Sequence, residues 1–152
     1  MARAKYQVLV LPYKKQDGEI LYCIFKRGDM DVWQFIAGGG EDEDASPLAA
    51  AKREAYEEAR ISPDEKYNVL ETTCSISTEG FKKSRQIWGE ACLVIPEYCF
   101  AVEITTAEIK ISHEHTCFEW VNYQTALGRL KYDSNKTALW ELDNKIRLGM
   151  IT

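Results

Sequence analysis

Apolar and polar positions change period along the chain, and the changes mark its elements. Lys5–Tyr13 and Ile20–Arg27 are short runs rich in Val, Ile, Leu and aromatics, which predicts two β-strands; Lys14–Glu19, containing Asp-Gly, is the turn of a hairpin. Val32–Ala37 predicts a third strand ending at Gly38-Gly39-Gly40, with Trp33 and Phe35 on one face as core residues. Ser46-Pro47 then supplies an N-cap and a proline at the first helical position, and the Ala-rich run Leu48–Ile61 is a helix that Pro63 stops near Arg60 to Ser62. Tyr67–Ser77 and Gln86–Ile95 predict two longer antiparallel strands joined by the loop Thr78–Arg85. Ala107–Lys110 and Cys117–Tyr123 predict shorter ones, and Ser134–Leu148 a closing amphipathic helix with Ala138, Leu139, Leu142 and Ile146 on one face. Strands, an embedded helix, more strands and a terminal helix predict an α/β sandwich on a mixed sheet. No repeat or linker divides residues 1–152, which read as one domain.

Composition narrows the function classes. A formal net charge of −5 argues against a nonspecific grip on a nucleic-acid polymer, where clustered Lys and Arg must neutralise phosphates. Five scattered cysteines, an odd number, suggest neither a disulfide framework nor a zinc pattern, and fit thiols in a reducing cytoplasm. The early apolar run Val8–Pro12 is too short for a signal peptide or membrane span, so a cytoplasmic location is expected.

The densest chemistry lies on the first helix. Glu54, Glu57 and Glu58 are spaced i, i+3, i+4, which puts three carboxylates on one face despite their mutual repulsion. A hard divalent cation needs such a set of oxygens, with open positions for water and phosphate, and Mg²⁺ is the default, with Mn²⁺ a substitute. The alternative is a solvated acidic face; the adjacent run Glu41-Asp42-Glu43-Asp44 adds four more carboxylates and weighs against it, while part of that run complements the helix dipole.

The segment Gly39–Ile61 resembles the Nudix box: Gly, five residues, Glu, seven residues, Arg-Glu, an apolar residue, any residue, Glu-Glu, any residue, Gly, apolar. Gly39, Arg53-Glu54-Ala55, Glu57-Glu58 and Ile61 stand at that spacing, while Ala45 replaces the first Glu and Arg60 the closing Gly. The resemblance implies metal binding by Glu54, Glu57 and Glu58, with one to three ions and a backbone carbonyl from Gly38 or Gly39 completing the shell. It also implies a structural ion pair for Arg53 that Ala45 cannot complete, so that either Asp44 or Glu43 substitutes or the helix start is held differently.

Family members often draw a base or further ligand from outside the box, which implies Glu114 in Ser112-His113-Glu114-His115; the plain alternative is a polar loop with exposed histidines. Arg27, Gly39 and Arg85 are the candidate substrate contacts, though an arginine at a strand end is often an ordinary surface charge. Within the family the chain is similar to the branch that hydrolyses dATP or dihydroneopterin triphosphate, on Trp33-Gln34, a non-glycine at 60 and the Glu114-His115 to Trp120 spacing. Implied is metal-dependent cleavage of a diphosphate linkage in a small nucleotide-like molecule, releasing pyrophosphate, by a monomer or homodimer. ADP-ribose or dinucleoside polyphosphate hydrolysis, and a catalytically weak nucleotide-binding module, are the alternatives.

Overall fold

A computed structural model describes residues 3–105 and 108–151. Its strands are β1 (Arg3–Gln16), β2 (Glu19–Arg27), β3 (Trp33–Gln34), β4 (Ile36–Glu41), β5 (Lys66–Ser77), β6 (Val94–Glu103) and β7 (His115–Val121), and its α-helices are α1 (Pro47–Ala59), α2 (Lys82–Trp88), α3 (Tyr123–Arg129) and α4 (Asp133–Arg147). β1 is the spine of one mixed sheet. It pairs antiparallel with β2 at one end and with β4 at the other, and parallel with β6, which pairs antiparallel with β5. The β1–β2 hairpin turns on Asp17 and Gly18, both at positive φ, as a two-residue turn between twisted strands requires.

Because side chains alternate across a strand, β1 feeds two cores. Val8 and Val10 pack with Ala50, Ala51, Ala55 and Ala59 of α1; Leu9 and Leu11 pack with Ala138, Leu139 and Leu142 of α4. The result is an α/β/α sandwich, as the element order predicts. Alanines let α1 lie close to the sheet, which matters because α1 carries the glutamates.

Three expectations are corrected. The third strand is broken: β3 pairs with β2 and β4 with β1, and between them the Phe35 N–H donates to Asn135 Oδ1 of α4 at 2.8 Å. Its glycines therefore lie inside β4 rather than after a strand. Gln86–Ile95 is not a strand: α2 ends at Trp88, whose indole N–H donates to the Arg3 carbonyl, and β6 begins only at Val94 and runs through Pro96. Ile87, Leu93 and Val94 are apolar but exposed, so hydrophobicity misplaced that strand. Residues 108–110 form no strand, and Ala107 lies outside the described residues. Among the described residues no helix is long and apolar enough to cross a membrane.

Candidate active site

Local chemistry fixes the site from α1 outward. Ser46 Oγ accepts the Ala49 N–H at 3.1 Å and Pro47 takes the first turn, so the helix begins where the capping residues set it. It ends at Arg60 in the left-handed conformation, φ 58°, the position at which the Nudix box has glycine. The segment after residue 108 then runs along the last turn: the Lys110 and Ser112 N–H groups donate to the carbonyls of Ala59 and Glu58, at 3.1 and 3.0 Å. Those carbonyls lack partners within the helix. Their capture brings Glu114 and His115 against Glu58.

Arg53 organises the approach to the helix. Its guanidinium donates to both Asp44 oxygens, to the Gly39 carbonyl at 2.9 Å and to Glu54 at 3.0 Å, and lies 3.3 Å from Glu57 and 3.4 Å from Glu41. Asp44 is thus the carboxylate that pairs with Arg53, whereas Glu43 is exposed. Arg53 also ties up the Gly39 carbonyl.

Glu54 lies on the Gly38 backbone: a Cβ added at Gly38 would meet the Glu54 carboxyl carbon at 2.2 Å, so only glycine admits the side chain. One turn on, Glu58 is buried, with Oε1 2.9 Å from His115 Nε2 and Oε2 lacking any hydrogen-bond partner. Burial foremost raises both carboxyls, Glu54 to about 8 and Glu58 to about 7. The neighbouring Glu58 adds to the rise at Glu54. His115 is shifted the other way, downward, by burial.

Glu58, Glu114 and His115 each place a ligand atom within 4.8 Å of the others. An unpartnered buried oxygen beside a carboxylate and an imidazole is a donor set that suits a divalent cation, so these residues fit one. Glu57 is more exposed, at 55%, and leans toward Arg53.

The cluster opens into a cavity of about 610 Å³ with Arg27, Gln34 and Ala37 on its wall. These three also line a second cavity of about 690 Å³, bounded by Arg3, Gln7, Gly39 and Glu97. Arg27 stands between the two and pairs with Asp29 at 2.6 Å. Arg85 lies on α2, borders neither cavity and donates to the Glu90 carbonyl. The arrangement therefore joins Glu54, Glu58 and Glu114, with Glu57 at the margin, and leaves Arg85 apart.

A NUDIX domain model matches residues 4–140. The chain belongs to the NUDIX family. It is a Nudix hydrolase, grouped with the family's pyrophosphohydrolases. It is 26% identical over 133 residues to the dihydroneopterin triphosphate diphosphatase of Escherichia coli K12, covering 87% of each chain. A putative NUDIX hydrolase from Listeria monocytogenes superposes with a TM-score of 0.86 at 39% identity, over 96% of this chain and 97% of that one. The E. coli dihydroneopterin triphosphate pyrophosphohydrolase shares the fold, with a TM-score of 0.73 at 22% identity, over 94% of this chain and 99% of the other.

Among this Nudix hydrolase's site residues, His115 was given no role of its own from the sequence, where only Glu114 was singled out and the alternative was a polar loop with exposed histidines; it is buried against Glu58. Its signal was position: it opens the alternating strand His115–Val121, so its side chain has an inward face to choose. Arg3, Gln7 and Glu97 were passed over. Glu97 had a signal too, as a lone acid inside the apolar run of β6.

Proposed function

We propose that this Nudix hydrolase cleaves a diphosphate linkage in a nucleoside triphosphate-like substrate, of the dATP or dihydroneopterin triphosphate type, and releases pyrophosphate. Glu54, Glu57, Glu58 and the Gly38 carbonyl would hold Mg²⁺, or Mn²⁺ in its place. The observation that carries this reading is Glu58: a buried carboxylate with one unpartnered oxygen, in ligand range of Glu114 and His115, facing a cavity.

A divalent ion bound there would neutralise phosphate charge and lower the pKa of the attacking water. The chain's own residues do the rest. Arg53 holds α1 to the Gly39 carbonyl and so fixes Glu54 over Gly38. Glu114, the exposed member of the trio, accepts the proton of the water that attacks phosphorus. Arg27, between the two cavities, contacts the phosphate chain where it passes from one to the other. Arg85, engaged with Glu90, is left out of this role. The similarity to a dihydroneopterin triphosphate diphosphatase supports the substrate type.

The test is a product assay with Mg²⁺ across dihydroneopterin triphosphate, nucleoside triphosphates, ADP-ribose and diadenosine polyphosphates, on wild type, Glu57→Gln and Glu114→Gln. Triphosphate-type substrates should give pyrophosphate, with turnover falling about 100-fold or more in each variant. No product from any compound, with nucleotide still bound, would make the chain a binding module instead.

A further inference from the structure

One short stretch of chain holds Glu58 by both its main chain and its side chain. The Ser112 N–H donates to the Glu58 carbonyl at 3.0 Å, and three residues on, His115 Nε2 stands 2.9 Å from Glu58 Oε1. The stretch is itself pinned: the His115 N–H donates to the Ser112 carbonyl at 3.3 Å, and the Glu114 carbonyl accepts the Gly28 N–H at 2.9 Å. The imidazole lies against the Phe25 ring, with centroids 5.2 Å apart, and is buried together with Glu58, whereas His113 is exposed. Two atoms of the buried pair have no hydrogen-bond partner, Glu58 Oε2 and His115 Nδ1. A neutral imidazole carries a single N–H, and a buried donor with nothing to receive it is costly, so that proton belongs on Nε2, where a carboxylate oxygen is in reach. An imidazolium carries protons on both nitrogens, so in either form Nε2 is the donor and Oε1 the acceptor.

We propose that His115 is the positioning residue of the cation site: its Nε2–H holds Glu58 Oε1 and leaves Oε2 as the oxygen that meets a divalent cation. This rests on the reading that Glu58 holds a metal, and it gives His115 a role that is not that of a ligand. An ionised carboxylate only accepts, so a buried one needs a partner for each oxygen. His115 supplies one and a cation the other. Arg53 engages Glu54 and Glu57, whereas the donor to Glu58 comes from His115. The neutral ring orders the oxygen without setting a positive charge beside the ion, as a lysine or arginine there would. Held by Phe25 behind and by the Ser112 turn before it, the imidazole fixes the carboxylate ahead of any ion, which is how partners of a metal-binding side chain raise affinity.

The experiment measures Mn²⁺ binding without substrate, from the EPR signal of the free ion, in wild type, His115→Phe and His115→Gln. Phe keeps a ring against Phe25 but has no N–H, while the amide of Gln offers an N–H near the position of Nε2. His115→Phe should weaken Mn²⁺ binding about 10- to 100-fold, and His115→Gln should recover most of that loss. In parallel, the ¹⁵N spectrum of Mg²⁺-saturated wild type should show His115 protonated on Nε2; the chain has two histidines, so His113→Asn assigns the signal. Equal Mn²⁺ affinity in wild type and a folded His115→Phe overturns the proposal, and so does a His115→Gln that binds no tighter than His115→Phe. A proton on Nδ1 alone, or a ring nitrogen bound to the ion, overturns it on the wild-type protein, whether or not a variant folds. Metal binding that depends on His115 with no compound hydrolysed would leave this inference standing and remove the hydrolase reading. Hydrolysis with metal binding indifferent to His115 would do the reverse.

Discussion

Arg53 grips Asp44 with two parallel hydrogen bonds, Nε to Oδ1 at 3.1 Å and Nη2 to Oδ2 at 3.0 Å. Asp44 Oδ2 also accepts the Glu41 N–H at 2.9 Å, so one carboxylate closes the turn before α1 and anchors the helix. The pair holds Asp44 below the ordinary carboxylate range. An acid displaced by one residue thereby replaces the one missing at Ala45. Asp44→Ala is expected to lose about 1.5–3 kcal/mol in urea unfolding with an unchanged m-value, and Glu43→Ala less than about 0.5 kcal/mol. Equal losses in the two variants would show that Asp44 is not the anchor.

The raised carboxyls make the metal-free protein sensitive to pH. In the unfolded chain Glu54 and Glu58 ionise near 4.5, whereas in the folded one they hold protons up to about 8 and about 7. Between those limits the folded state binds more protons, so its stability declines as pH rises from about 4.5 to about 8. His115, lowered by burial, works in the opposite sense below its ordinary pKa, one group against two. In EDTA the melting temperature should fall across that window, and added Mn²⁺ should restore most of it at the alkaline end. A metal-free melting temperature that rose through the window would contradict the assigned protonation.

Arg60 sits at φ 58°, a conformation that costs an L-residue about 1–2 kcal/mol. It gains some return from lying over the Tyr56 ring, 5.0 Å away. Arg60→Gly should therefore stabilise the protein by about 0.5–1 kcal/mol, seen as a melting temperature higher by a few degrees. A lower melting temperature would mean that the ring contact outweighs the backbone strain.

Gly38→Ala tests the close approach of helix and strand. The new methyl would collide with the Glu54 carboxyl, the far end of a side chain that can swing away, so the fold survives while the site is disarranged. Turnover is expected to fall about 100-fold or more with stability changed by about 1–2 kcal/mol. Gly128→Ala, where an added Cβ meets nothing within 4 Å, serves as the control and should be neutral or slightly stabilising. Similar turnover in the two variants would remove Glu54 from the site.

The parts legible in the sequence were those governed by local chemistry. Ser46, Pro47 and Pro63 bracket α1 because caps and prolines act on their immediate neighbours, and the i, i+3, i+4 spacing of the glutamates is a property of the helix alone. What was missed depends on partners distant in the chain. Phe35 breaks a strand because Asn135, 100 residues on, takes its N–H. β6 tolerates Pro96, and α2 displays Ile87 to solvent, so periodicity and hydropathy both pointed to the wrong span. His115 is buried only because the chain after residue 108 caps α1 and carries it to Glu58. Glu97 acquires meaning only beside Gln7, its partner across two parallel strands.

The three glycines within β4 make that strand little more than bare backbone. Glu54 rests against it from the α1 side at Gly38, and Arg3 from the other side at Gly39. A layer one peptide thick thus separates an acid from a guanidinium that burial lowers, with the nearby Glu54 offsetting part of that fall. Positive charge arriving on one side would be felt by the guanidinium on the other through a medium that screens far less than water. The two chambers are in this sense wired together, with no moving part between them.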